Sequence, residues 1–206
     1  PEARPTSYAA PPPEAERMRD SRTPLVVFLH GPFGRPADFD GVADRIPNRF
    51  PVRAPLLPFG RTGAGSLVEL TDRLEAELGG ETSPLVLVGG SDGGRVALAF
   101  ARRHAERVRG VLLSGCPVCP ECERDALGDV RTPVLLLWGT EDRVTPPDVG
   151  RRLLGLLPDA RLLFIIEAGH APMVDRPSVF AFHLSSFLND LAPLFVPPRR
   201  LADEAA

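Results

Sequence analysis

Leu85-Val86-Leu87-Val88-Gly89-Gly90-Ser91-Asp92-Gly93-Gly94-Arg95-Val96-Ala97-Leu98-Ala99 is the stretch that decides the fold. An apolar run of strand length passes through G-x-S-x-G directly into a helical pattern. A serine on such a junction has its hydroxyl pushed out at the end of a sheet, with the N–H groups of a helix N-terminus behind it. Glycines on both sides fit this reading, because a Cβ there would crowd the neighbouring strand and helix. The rival reading is an ordinary Gly/Ser turn. A chance G-x-S-x-G seldom falls on a strand-to-helix junction, so Ser91 is a candidate nucleophile.

A serine hydroxyl is a weak nucleophile near neutral pH and needs a base, which in turn needs an orienting carboxylate. Downstream, Val134-Leu135-Leu136-Leu137-Trp138-Gly139 reads as a buried strand that runs into Thr140-Glu141-Asp142. Leu162-Leu163-Phe164-Ile165-Ile166 is another, running into Glu167-Ala168-Gly169-His170. Asp142 and His170 therefore follow the carboxyl ends of strands, as Ser91 does, where ligands bind in open parallel sheets. Asp142 also suits a turn or helix cap; Glu141 is its nearest competitor, and Asp125 and Asp129 follow the preceding strand. His170 has three rivals. His104 reads as part of a solvated helix end, His183 as a helix packing or surface residue, and His30 as a loop residue held by a local hydrogen bond.

The order Ser91, Asp142, His170 is that of α/β-hydrolases, and the chain resembles that superfamily from Leu29-His30-Gly31 to the helix around Phe182–Leu188. His30-Gly31, Gly89–Gly93, Gly139–Asp142 with Val144-Thr145-Pro146, and Gly169-His170-Ala171-Pro172 carry the likeness, with Arg176-Pro177 opening the last helix. The Ser-Asp-Gly-Gly elbow is similar to that of the valacyclovir hydrolase-like group. The resemblance implies Ser91 as nucleophile, His170 as general base and acid, Asp142 as its partner, and the Asp92 N–H as one half of the oxyanion hole. It also implies a three-layer α/β/α sandwich around a mainly parallel sheet.

Three features depart from the family pattern. The loop after the first strand reads His30-Gly31-Pro32-Phe33-Gly34-Arg35, and proline has no N–H to give an oxyanion. Phe33 becomes the second donor, with Gly34 behind it; loss of one such donor costs roughly a hundredfold or more in turnover. Second, only residues 115–132 separate two strands between which the family inserts a helical cap. The fold is expected to be capless and its mouth open. Third, all three cysteines lie in that loop, as Cys116-Pro117-Val118-Cys119-Pro120-Glu121-Cys122. Metal binding by Cys116, Cys119 and Cys122 with a fourth ligand, a disulfide with one free thiol, and a plain reduced turn all fit this spacing.

At 206 residues and 43% hydrophobic, the chain has material for one well-buried domain. Its net charge is −3 and its arginines are scattered, so nothing argues for nucleic acid. Every basic side chain is arginine or histidine, which excludes lysine Schiff-base chemistry. Residues 1–23 read as a proline-rich extended arm, 24–192 as the domain and 193–206 as a tail, with several of the 24 prolines in the two ends. The arm has no apolar signal core and no segment is long enough to cross a bilayer; no membrane association and a cytoplasmic location are expected. Short Val/Leu-rich runs without alternation predict parallel strands at Leu25–Leu29, Val52–Leu56, Leu85–Val88, Gly110–Ser114, Val134–Trp138 and Arg161–Ile166. Helical patterns fall at Phe39–Ile46, Ser66–Leu78, Arg95–Arg103, Asp148–Leu156 and Ser178–Leu191, with Asp38 as a cap or turn residue before the first.

The function expected is serine hydrolysis of an ester, thioester or lactone, with no cofactor. A small-molecule or carrier-bound acyl group is the substrate, and a homodimer that closes the open mouth is one arrangement the missing cap admits. Phe33, Pro58, Phe59, Cys116–Glu121 and Val144 are the expected pocket lining. Arg35 and Arg61 either meet an acidic substrate or solvate their loops. Non-hydrolytic chemistry on the same triad (lyase, acyltransferase or cyclase) and a catalytically weak carrier- or partner-binding protein are the alternatives.

Overall fold

The computed structural model describes residues 23–59, 66–117 and 126–192. Six parallel strands form one sheet in the order β2-β1-β3-β4-β5-β6. They are β1 (Leu25–Leu29), β2 (Val52–Arg53), β3 (Leu85–Gly90), β4 (Val108–Ser114), β5 (Val134–Gly139) and β6 (Ala160–Ile165). The helices are α1 (Asp40–Ala43), α2 (Leu67–Glu77), α3 (Asp92–Arg103), α4 (Pro147–Leu154), α5 (Pro172–Asp175) and α6 (Pro177–Leu191).

Successive strand residues point to opposite faces, and the helices divide accordingly. Leu25, Val27 and Leu29 pack with Leu70 and Leu74 of α2, Phe100 of α3 and Leu153 of α4. Val26 and Phe28 pack with Val42 of α1 and with Phe180, Leu184 and Leu188 of α6. Both faces are thus covered, which is why β1, β3 and β5 are buried along their whole length. β6 is one of the two edge strands, and its burial alternates. No helix among the described residues is long and apolar enough to cross a membrane.

The strand order places the functional crevice. From β1 the chain turns to α1 on one face, and from β3 it turns to α3 on the other. β1 and β3 are neighbours, so their loops diverge and leave a gap at their carboxyl ends, where open α/β sheets bind ligands.

Several element ends differ from the sequence expectation. β2 stops at Arg53, because Pro55 and Pro58 follow and cannot donate to a ladder. α3 starts at Asp92, three residues earlier than expected, despite the low helix propensity of Gly93 and Gly94. The first helical region is split into a 3-10 turn, Pro36–Phe39, and α1. Asp38 is not the cap of that turn; Arg35 is, and its N–H donates to Asp38 Oδ2 at 3.0 Å. α5 was not foreseen. The arm, the tail, Arg61, Cys119, Glu121, Cys122 and Asp125 lie outside the described residues.

Candidate active site

Ser91 sits between β3 and α3 with φ of 53° and ψ of −132°, a left-handed conformation that side chains other than glycine avoid. The surroundings enforce it. The Ser91 N–H donates to Ser114 O at 2.8 Å, and the Ser91 carbonyl accepts from Gly94 N at 2.9 Å. The two motif glycines let the turn close: a Cβ on Gly93 would stand 2.1 Å from Leu29 O, and one on Gly89 would stand 2.5 Å from Gly94 Cα. α3 therefore starts directly against the end of β1, leaving the Asp92 N–H as the first of the donors that a helix cannot satisfy internally.

Asp142 follows β5 and its side chain is 1% exposed. It accepts from the N–H groups of Val144 and Thr145 at 2.9 Å each and from Thr145 Oγ1 at 2.8 Å. His170 Nδ1 lies 3.1 and 3.0 Å from its two oxygens. An ionised carboxylate only accepts hydrogen bonds, so Nδ1 carries the proton and Nε2 is left as the basic nitrogen. The His170 loop is held by Gly169 N–H donating to Asp175 Oδ2 at 2.8 Å, a contribution of α5.

Ser91 and His170 face one cavity of about 150 Å³. Its walls are His30, Gly31, Phe33 and Gly34 after β1, Gly90 at the end of β3 and Ser91 after it, and His170, Ala171 and Met173 around α5, with Asp38 and Phe39 at one side. No hydrogen bond joins Ser91 Oγ to His170 among the described residues; such bonds tighten when substrate binds.

The loop after β1 accommodates Pro32. Gly34 N–H donates to Gly31 O at 3.1 Å, closing a turn in which proline takes the second position, where its fixed φ is favoured. That bond occupies the Gly34 N–H and leaves Phe33, whose side chain is 95% exposed, as the available donor. His30 is buried: its Nε2 accepts from Leu57 N at 3.0 Å, and Nδ1 donates to Gly31 O at 2.8 Å. It is a structural residue of the loop.

Pro58 and Pro117 do not line this cavity, and three further expected lining residues are placed elsewhere. Cys116 is wholly buried in the core against Gly94 and Leu113, because it follows β4 on the inward side. Phe59 packs on the His30 ring, with centroids 5.6 Å apart. Val144 is 70% exposed and meets Asp142 only through its backbone N–H. None of the three lines the cavity. Among the rivals, Glu141 is exposed, His104 faces Glu75 at 3.3 Å at the end of α3, and His183 lies on α6 beside Phe182. Asp129 borders a groove with Arg102 and Arg103. Arg35 pairs with Asp38 at 3.3 Å. No group of three or more His, Cys, Asp or Glu side chains that could hold a metal occurs among the described residues. Sequence reading missed Met173 and Phe39 as walls and Thr145 as an Asp142 partner. The Asp142-x-x-Thr145-Pro146 spacing was the available signal for the last.

The sequence pattern of the alpha/beta hydrolase fold family matches residues 120–177. The chain is 34% identical over 68 residues to the uncharacterized hydrolase YugF of Bacillus subtilis, covering 33% of this chain and 25% of that protein. It is 38% identical over 58 residues to the pimeloyl-[acyl-carrier protein] methyl ester esterase of Neisseria meningitidis serogroup B, covering 28% of this chain and 22% of the esterase. These matches thus span about a quarter of the curated relatives' own length. Among solved structures, MGS-MChE2, an alpha/beta hydrolase enzyme from the metagenome of sediments of the lagoon of Mar Chica, Morocco, superposes with a TM-score of 0.73 at 27% identity. The alignment covers 82% of this chain and 91% of that one.

Proposed function

The chain belongs to the α/β-hydrolase superfamily, and from that premise we propose that it is a serine hydrolase cleaving an ester, thioester or lactone through an acyl-enzyme. One observation carries the reading: the elbow serine shares a cavity with an imidazole whose Nδ1 is held by a buried carboxylate. His170 Nε2 takes the Ser91 proton as Oγ attacks the carbonyl carbon. The N–H groups of Asp92 and Phe33 hold the oxyanion. His170 then protonates the leaving alcohol or thiol, and water, activated by the same nitrogen, releases the acid. Asp142 keeps the imidazole in the tautomer that leaves Nε2 free and stabilises its protonated form.

The cavity is small. A space of about 150 Å³ is of the order that holds a six-carbon ring, so it receives a compact acyl or alcohol group, and a longer chain or a carrier extends past the exposed Phe33. An esterase among the relatives is consistent with acyl chemistry. Intact-mass analysis after treatment with a fluorophosphonate tests the reading. Wild type gains one adduct, Ser91→Ala gains none and His170→Ala reacts slowly. A well-folded wild type that stays unlabelled rules it out.

A further inference from the structure

The carboxylate of Asp142 has two differently furnished oxygens. Oδ1 takes the two backbone N–H groups of Val144 and Thr145, the pattern of a self-contained aspartate turn that any side chain at position 145 would complete. Oδ2 receives something the turn does not require: the Thr145 hydroxyl, at 2.8 Å. The same Oγ1 lies 3.2 Å from His170 Nδ1. Its single proton goes to the carboxylate, which can only accept, so its lone pairs face the Nδ1–H. One hydroxyl thus touches both partners of the acid–base pair.

Three constraints aim that hydroxyl. Thr145 is 6% exposed and β-branched, and a β-branched side chain is stiff about χ1. Pro146 after it restricts its backbone to the extended region. Trp138 Nε1 donates to its carbonyl at 2.8 Å. The carboxylate itself has no such stiffness, because the last torsion of an aspartate is broad. Without the hydroxyl, Oδ2 keeps only the His170 Nδ1–H at 3.0 Å, so the carboxylate plane and the ring can turn together.

We propose that Thr145 is a positioning residue, whose hydroxyl locks the Asp142 carboxylate and the His170 ring in the orientation that aims Nε2 at Ser91. The proposal rests on the Ser91–His170–Asp142 reading above. Thr145 touches no reacting atom; it acts through the other two.

Thr145→Val keeps the shape and removes the hydroxyl, and Thr145→Ser restores it. The readout is fluorophosphonate inactivation resolved into a maximal rate and an apparent KI, together with the downfield NMR resonance of the His170 Nδ1 proton. Thr145→Val should lower the maximal rate about ten- to a hundredfold, the usual effect of losing a hydrogen bond to a charged group. KI should stay unchanged, the Nδ1 resonance should move upfield or broaden, and Thr145→Ser should recover most of the rate. If Thr145→Val does not fold, Thr145→Ala is read in the same way. A folded variant with wild-type rate and resonance overturns the proposal, as does a Thr145→Ser variant as impaired as Thr145→Val. In both cases labelling of wild type and its loss in Ser91→Ala still uphold the triad. Labelling that persists in Ser91→Ala overturns both.

Discussion

The indole N–H of Trp138 donates to the carbonyl of Thr145 at 2.8 Å, so a wholly buried ring on β5 fixes the loop that carries Asp142. The link ties core packing to the site, and it predicts a coupled loss. Trp138→Phe leaves the Thr145 carbonyl without its donor and opens a cavity, which together cost about 2–4 kcal/mol. Urea unfolding measures the first effect and fluorophosphonate labelling the second, which should slow at temperatures where the variant is folded. A variant with wild-type stability would show that the loop is held by other means.

Asp142 and Glu141 are adjacent acids with opposite surroundings, one buried with four donor groups and one exposed. Asp142→Asn should reduce the labelling rate by about 10⁴, because the amide favours the wrong imidazole tautomer. Glu141→Gln should stay within about twofold, as surface changes away from special contacts do. Reversed results would move the carboxylate role to Glu141.

This division between the two acids was only half legible in the sequence. Position after a strand marks both residues, but the donors that select Asp142 come from the backbone turn at Val144 and Thr145 and from His170, 28 residues on. β1 was legible to the residue, since nothing in Leu25–Leu29 competes with a buried strand. β2 was overextended because a β-run of apolar residues outweighed its prolines. Cys116 was misplaced because the carboxyl end of a strand names a rim but not the side to which each residue points. There the inward side is filled by the close approach of Gly94.

That close packing makes the elbow intolerant. Gly93→Ala would put a methyl group 2.1 Å from Leu29 O, a backbone atom that cannot step aside without parting α3 from β1. The variant should lose more than about 3 kcal/mol or fail to accumulate as folded protein. Thermal melting of Gly93→Ala beside Gly80→Ala, where a Cβ meets nothing within 4 Å, checks this; equal melting temperatures would contradict the packing.

A pH effect follows from the link between α2 and α3. Hydrogen bonds from Arg103 and then His104 hold the Glu75 carboxyl below its ordinary value of 4.5. A depressed folded-state value means that this contribution is present above the unfolded pKa and is lost as pH falls through the folded one. Wild type should therefore melt slightly higher than Glu75→Gln at neutral pH, and the difference should vanish well below pH 4.5. High salt should shrink it, since the group is exposed. A difference that grows on acidification contradicts the assignment.

Phe33 separates the work of a backbone N–H from that of a side chain. Its ring is 95% exposed and contributes little to stability, yet it stands at the mouth of the cavity. Its N–H belongs to a turn closed by Gly31 and Gly34, which survives truncation of the side chain. Phe33→Ala should therefore melt as wild type does and keep its maximal acylation rate within about threefold, because the N–H proposed as an oxyanion donor remains. Affinity for a substrate bearing an apolar group should fall about tenfold, the worth of the aromatic surface no longer covered. Steady-state kinetics with p-nitrophenyl butyrate separate kcat from KM. A loss confined to kcat would mean that the ring holds the turn itself in shape, and the Phe33 N–H would then depend on its own side chain for its place in the proposed oxyanion hole.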